Sequence, residues 1–289
     1  MNKTMQGKTC LVTGSSRGIG FWTAHGLAKR GAHVILVGHH QGRGEKAQSR
    51  LQEAFGTDSA RFFKADLSAQ EEIHLLAKAI KNNYNQLDVL VNNAAGFFLN
   101  RQESVDGIEM TLALNHLNYF MVSLLLSDLL MDSTPARIVN VSSDAHREQR
   151  LEFENLQLKN GYTGMKAYGR SKLANLYFSY ELDRHLEGHG ITVNALHPGF
   201  VNTYLGKQYW FIRPFLEIIH ALFAKSPREG ARTPLYLSSS PEVAGASGKY
   251  FVNQMPTKSS PISYDKEAAQ RLWNRSESLT GLDADNHLP

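Results

Sequence analysis

The sequence predicts a doubly wound α/β fold, a parallel sheet of about seven strands covered by helices on both faces, and three observations carry that prediction. Short β-branched runs alternate along the chain with longer stretches of helical periodicity. The runs are apolar on successive residues rather than on every second one, as strands read when crossover helices bury both faces. The first run passes directly into a glycine-rich turn and an amphipathic segment, the strand, turn and helix of a βαβ unit.

The strands are read at residues 9–13, 33–37, 61–65, 89–91, 137–141, 192–196 and 250–252. Between them, Leu117, Phe120, Met121 and Leu124 follow i, i+3, i+4, i+7 spacing, and so do Leu173, Leu176, Tyr177 and Tyr180. Both stretches are expected as helices packed on the sheet, with loops at 161–164 and 238–241. No internal repeat or Pro-rich linker divides the chain, so one domain over residues 1–289 is expected, with residues 281–289 fraying.

Composition narrows the function classes. Apolar residues make up 42% and charged residues 20%, enough for a large core. Lys and Arg number 31 against 27 Asp and Glu, scattered along the sequence, which argues against a nucleic-acid partner. The one cysteine, Cys10, has no intrachain partner for a disulfide. The first strand begins too early for an export signal, and the most apolar later segment, residues 210–223, is shorter than the roughly 20 residues of a membrane span and carries Arg213, Glu217 and His220. A cytoplasmic location with no transmembrane segment is expected, and peripheral membrane contact and homo-oligomerisation stay open.

Residues 8–20 read KTCLVTGSSRGIG, with Gly14, Gly18 and Gly20 between a strand and a helix starting near Ile19. Glycine permits a tight turn and close backbone approach, while the helix N-terminus offers free N–H groups to a pyrophosphate. The spacing is G-x-x-x-G-x-G and no Gly-Lys-Ser/Thr follows, which argues against a nucleoside triphosphatase loop. At the end of the second strand, residues 37–43 contain no carboxylate to accept a ribose 2′-hydroxyl. With Arg17 in the turn and His39 and Arg43 beyond the strand, this reads as a site for the 2′-phosphate of NADP(H).

Four segments then fall in order: TGSSRGIG at 13–20, NNAAG at 92–96, NVSS at 140–143 and YGRSK at 168–172. Together they resemble the short-chain dehydrogenase/reductase family, from about Lys8 to the C-terminal region. HPGFVNT at 197–203 also matches, and ALNHLNYF at 113–120, NVSSDAH at 140–146 and SGKYF at 247–251 are most similar to the retinol dehydrogenase-type members. The resemblance implies a Rossmann fold, catalytic Asn115, Ser143, Tyr168 and Lys172, and cofactor contacts from Gly14, Ser16, Arg17, Gly18, Ile19 and Gly20. It further implies Asp66 and Leu67 beside the adenine, Asn93 and Ala94 beside the cofactor, and Pro198, Gly199, Val201 and Thr203 along the nicotinamide.

Chemistry supports these roles independently. Tyr168 and Lys172 are four apart and share one helix face, where an ammonium would draw the phenol toward a working pH. Ser143 would hydrogen-bond a substrate oxygen, and Asn115 would orient a water. Two departures stand out: NNAA replaces the usual NNAG, with Gly96 one place late, and residues 144–166 form an inserted loop. His185 and His189 have ligand-like spacing, but Gly188 and Gly190 end that helix and no third ligand follows, so no metal is expected.

Tyr204, Tyr209, Trp210, Phe211, Phe215 and Phe223 suggest a substrate lid over about 204–226 and an apolar carbonyl or alcohol substrate of retinoid, steroid or long-chain aldehyde type, although the same aromatics also suit core or interface. The alternatives are a non-catalytic NADP-binding regulatory or scaffold protein, or a reductase of quinones or polyketides.

Overall fold

A computed structural model describes residues 3–200 and 225–289. Its sheet has eight strands in the order β3-β2-β1-β4-β5-β6-β7-β8. They are β1 (Thr9–Thr13), β2 (His33–Gly38), β3 (Ala60–Lys64), β4 (Val89–Asn92), β5 (Ala136–Val141), β6 (Ile191–His197), β7 (Lys249–Val252) and β8 (Met255–Thr257). The first seven pair in parallel, in the places their apolar runs predict. β8 pairs antiparallel with β7 through Asn253 and Gln254, whose φ values of 51° and 67° make a two-residue hairpin. The sequence reading misses this strand because it is three exposed residues with Pro256 in the middle, a composition that suits only a sheet edge.

Alternation within each strand feeds two cores. Leu11, Ile35, Leu90, Ile138 and Val193 enter one layer, beneath α3 (Gln70–Lys81), α5 (Asn118–Leu125) and α7 (Gly164–His185). Cys10, Val12, Leu36, Val91 and Val139 enter the other, beneath α1 (Gly18–Lys29), α2 (Gln41–Phe55) and the helix Arg232–Ser239. The strand order reverses between β1 and β4, and the carboxyl ends of these strands open the crevice where a dinucleotide binds in such sheets.

The helix carrying the first periodic stretch is interrupted. α4 (Met110–Leu112) leads into a π-helical turn, Ala113–Leu117, before α5 resumes. α6 (Ser127–Met131) then leads toward β5. After residue 224 come α8 (Pro227–Gly230), α9 (Arg232–Ser239) and α10 (Lys266–Thr280).

The C-terminal segment corrects the expectation of fraying. Leu282 and Ala284 are buried in the first core, residues Ala284–Asn286 form a 3-10 turn, and Ser127 Oγ donates to the His287 carbonyl at 2.5 Å. Leu282, Ala284 and Leu288, spaced among polar residues, carry too little periodicity to reveal that anchoring.

Candidate active site

The crevice is built first by glycine. A Cβ on Gly14 would lie 2.8 Å from the Ala94 Cα, and one on Gly20 would come within 2.5 Å of the Gly14 carbonyl oxygen, so both residues are needed for the turn to close against β4. Gly18 adopts φ of +63° and a Cβ there would meet nothing within 4 Å, leaving open space over the first turn of α1. Thr13 Oγ1 accepts from the backbone N–H groups of Asn93 and Ala94 at 2.8 and 3.0 Å, and Asn93 Nδ2 donates to the Thr13 carbonyl at 2.8 Å. Asn93 and Ala94 therefore act as the clamp holding the turn. Ser16 stands beside Gly38, and Ile19 is the second residue of α1. The donor set fits a dinucleotide: free N–H groups at a helix start, no side chain over Gly18, and cations nearby.

Those cations gather at the end of β2. Arg43 Nη2 donates to His39 Nε2 at 3.3 Å, and His40 caps α2 by accepting from the Arg43 N–H at 3.4 Å. Burial, then the Arg43 charge, holds His39 below the ordinary histidine range, with Arg17 adding to the same field and Asp66 opposing it. His39 is thus a neutral acceptor for Arg43 rather than another cation. Asp66 is exposed and its Oδ1 accepts from the N–H and hydroxyl of Ser68 at 2.9 and 2.7 Å, while Leu67 is buried in the core.

Tyr168, Ser143 and Lys172 come together from α7 and the end of β5. Ser143 also caps the following 3-10 turn by accepting from the Ala145 N–H at 3.3 Å, and its hydroxyl lies near enough to the Tyr168 phenol to favour the charged form slightly. Burial drives that phenol up to about 12, against the smaller downward pull of Ser143. This corrects the expectation that Lys172 brings the phenol toward neutrality. The ammonium lies 5.5 Å from the ring centre of Tyr168 and donates to the Val141 carbonyl at 3.1 Å, and burial lowers Lys172 itself to about 7. Sharing a helix face brought the two side chains together, but the low-polarity surroundings disfavour both charged forms.

Asn115 sits in the middle of the π-helical turn. Its Oδ1 accepts from the Gly96 N–H at 2.7 Å, and its Nδ2 donates to the Gly96 carbonyl at 3.0 Å and to Ser171 Oγ at 3.0 Å. The displaced glycine thus has a physical role, because a Cβ on Gly96 would meet the Phe98 ring at 2.8 Å. Asn115 locks the β4 loop to α7, a link that residue spacing alone does not reveal.

Two further residues support the site. His146 Nδ1 donates to the Ser143 carbonyl at 2.6 Å while Nε2 accepts from the Ser260 N–H at 3.1 Å, fixing the peptide that carries Ser143. Asp144 accepts from Tyr250 at 3.0 Å and from Arg147 Nε at 3.0 Å. The NVSSDAH string contained both, but one partner of each, Tyr250 and Ser260, lies over 100 residues away. Pro198 borders a cavity of about 270 Å³ with Lys225, Thr233 and Asn253. Gly199 adopts φ of +89° and packs against the Lys225 side chain. Val201, Thr203 and residues 204–224 of the expected lid lie outside the described residues. His185 stacks on Trp273 with ring centres 4.4 Å apart.

Comparison with known proteins places the chain in a family. Mouse (Mus musculus) retinol dehydrogenase 14 is 38% identical over 96% of this chain and 87% of its own length. Human (Homo sapiens) polyprenol dehydrogenase is 36% identical over 95% of this chain and 86% of its own. The solved NADP active-site complex of RhlG from Pseudomonas aeruginosa superposes with a TM-score of 0.71 at 30% identity, covering 86% of this chain and 96% of that one. No described helix is long and apolar enough to cross a membrane. The family model described as short chain dehydrogenase matches residues 8–210, and with it the chain belongs to the short-chain dehydrogenase family of oxidoreductases.

Proposed function

We propose that this protein interconverts a carbonyl and an alcohol on an apolar substrate, with NADP(H) as cofactor and Tyr168 as the general acid and base. The observation that carries the reading is the juxtaposition of Tyr168 and Ser143, both partly exposed, with the buried Lys172 at the carboxyl edge of the sheet. The bound nicotinamide supplies the hydride chemistry. The Ser143 hydroxyl hydrogen-bonds the substrate oxygen, and Tyr168 gives that oxygen its proton in reduction or takes it in oxidation. A phenol held near 12 keeps its proton through neutral pH, which suits donation in the reducing direction. Lys172 stands within reach of the same pocket to hold ribose hydroxyls, and Asn115 keeps the β4 loop and α7 in register. Residues of the glycine-rich turn, from Gly14 to Gly20, take the pyrophosphate, and Arg17 and Arg43 take the 2′-phosphate.

Apolar surface around the phenol supports the substrate class. Phe97 meets Tyr168 edge-on with ring centres 6.0 Å apart. The names of the retinol and polyprenol dehydrogenases point the same way. The test is NADPH oxidation by purified protein across retinal, steroid ketones, quinones and aliphatic aldehydes. Retinal or a long-chain aldehyde is expected as the best substrate, and Tyr168→Phe is expected to lower its turnover by roughly 10² to 10⁴ with NADPH affinity nearly unchanged. No turnover of any carbonyl, or near wild-type turnover by a folded Tyr168→Phe protein, would overturn the reading.

A further inference from the structure

The basic residues that look scattered along the sequence are not scattered in space. Lys29 and Arg30 at the end of α1 face Arg228 and Arg232 on α8 and α9 across a cleft of about 400 Å³. Its volume falls within the roughly 300–1,000 Å³ usual for small-molecule sites. One carboxylate, Glu229, lies among the four cations, leaving a local excess of three positive charges. Glu229 is already engaged, accepting from the N–H and hydroxyl of Ser226 at 2.9 and 2.8 Å in a capping box. Among the described residues none of the four cations lies within ion-pair distance of a carboxylate.

The cleft is built rather than incidental. A Cβ on Gly26 would come 2.4 Å from Leu235 Cδ2, so glycine lets α1 and α9 approach closely and fixes the wall. Arg30 Nη1 is held by the Gly26 carbonyl at 3.0 Å, and the Arg228 guanidinium lies 5.5 Å from the centre of the Trp22 ring. Like charges held this close repel, and burial together with Arg228 and Lys29 keeps the adjoining His25 below the ordinary histidine range. An anion would relieve that repulsion. Guanidinium forks match phosphate oxygens bidentately, a dianion best offsets three excess charges, and Trp22 and Leu235 offer apolar surface to the carbon part of a ligand.

We propose that this cleft between α1 and α8–α9 binds a phosphate-bearing ligand, a phosphate ester or a phospholipid headgroup, at a site separate from the glycine-rich turn. The site does not depend on the identity of the substrate. Ser226 caps α8 beside it through Glu229, which lines the cleft.

The test uses the full chain saturated with NADPH, so that the glycine-rich turn is already filled. Inorganic pyrophosphate is titrated by calorimetry, and vesicles of phosphatidylcholine with about one-fifth phosphatidic acid are assayed by co-sedimentation. Binding is expected to weaken tenfold to a hundredfold or more in Arg228→Ala/Arg232→Ala, the usual worth of charge-assisted contacts, and to stay within about twofold in Lys266→Ala, an exposed charge outside the cleft. Pyrophosphate binding lost in the double variant identifies a soluble phosphate ester as the ligand class; vesicle binding alone, lost in the same variant, identifies a headgroup. The proposal is overturned if neither probe binds, or if the double variant binds as well as Lys266→Ala.

Discussion

Lys172 should make the fold less stable, and it should do so in a pH-dependent way. The side chain is 1% exposed, and burial takes it from its ordinary 10.5 to about 7. From about pH 7 to about pH 10.5 the unfolded chain therefore holds a proton here that the folded chain does not, so stability climbs with pH through that window. Below it the cost of the buried ammonium is fully present. A drop of roughly 3.5 pH units, at about 1.36 kcal/mol each, sets that cost near 5 kcal/mol as an upper figure. Lys172→Met keeps the length and volume and removes the amine, and Val141 is not orphaned because Tyr119 still donates to its carbonyl at 3.2 Å. After subtracting about 1 kcal/mol for the lost hydrogen bond, the variant should gain about 2–4 kcal/mol at about pH 6.5 and fall about 1 kcal/mol below the wild type near pH 10.5. At roughly 2 °C per kcal/mol, its midpoint should lie about 4–8 °C higher at the acidic end. Thermal unfolding of cofactor-stripped wild type and variant across that range reads the difference directly. A difference in midpoint that stays flat from about pH 6.5 to 10.5 would refute the reasoning, because it would mean that Lys172 keeps its charge inside the fold.

Three further outcomes are expected. Arg17→Ala and Arg43→Ala should each weaken NADPH binding roughly tenfold to a hundredfold while leaving NADH nearly unchanged, as fluorescence titration of both cofactors will show. His146→Leu removes the partner of the Ser143 carbonyl and of the Ser260 N–H; it should cost about 1–3 kcal/mol in denaturant unfolding and lower turnover more than NADPH affinity, and equal losses in both would argue for a general structural role. Ending the chain after Leu282 removes Ala284 and the His287 carbonyl from the first core and should lower the unfolding midpoint by several degrees; an unchanged midpoint would mean that the tail contributes nothing.

How far the sequence could be read depended on whether each signal was local. Seven strands were legible because continuous apolar runs mark strands buried on both faces, and α7 because Leu173, Leu176, Tyr177 and Tyr180 repeat at helical spacing. β8 was not, since its pairing comes from a tight turn and its side chains are all exposed. In the site, Tyr168 and Lys172 were legible from a spacing of four and the turn at Gly14, Gly18 and Gly20 from its context. The balance of their electrostatics was not, because burial is a property of the assembled pocket rather than of neighbouring letters. The roles of His146, Gly96 and the cationic cleft depend on contacts between distant segments, which no window along the chain contains.

Beneath the catalytic edge, Asn92 Nδ2 donates to Asn140 Oδ1 at 2.9 Å and to Ser123 Oγ at 3.0 Å, and Asn140 Nδ2 donates to Ser179 Oγ at 2.9 Å. These fully buried amides join β4 and β5 to α5 and α7 at one level of the sheet. Apolar contacts tolerate sliding by fractions of an ångström, whereas a directional bond between buried amides does not. The row of amides therefore acts as an alignment key for the loops that end in Asn93 and Ser143. Thinning the aliphatic core around it should cost stability long before it alters Michaelis constants, so drift in the core and drift in specificity are free to proceed separately.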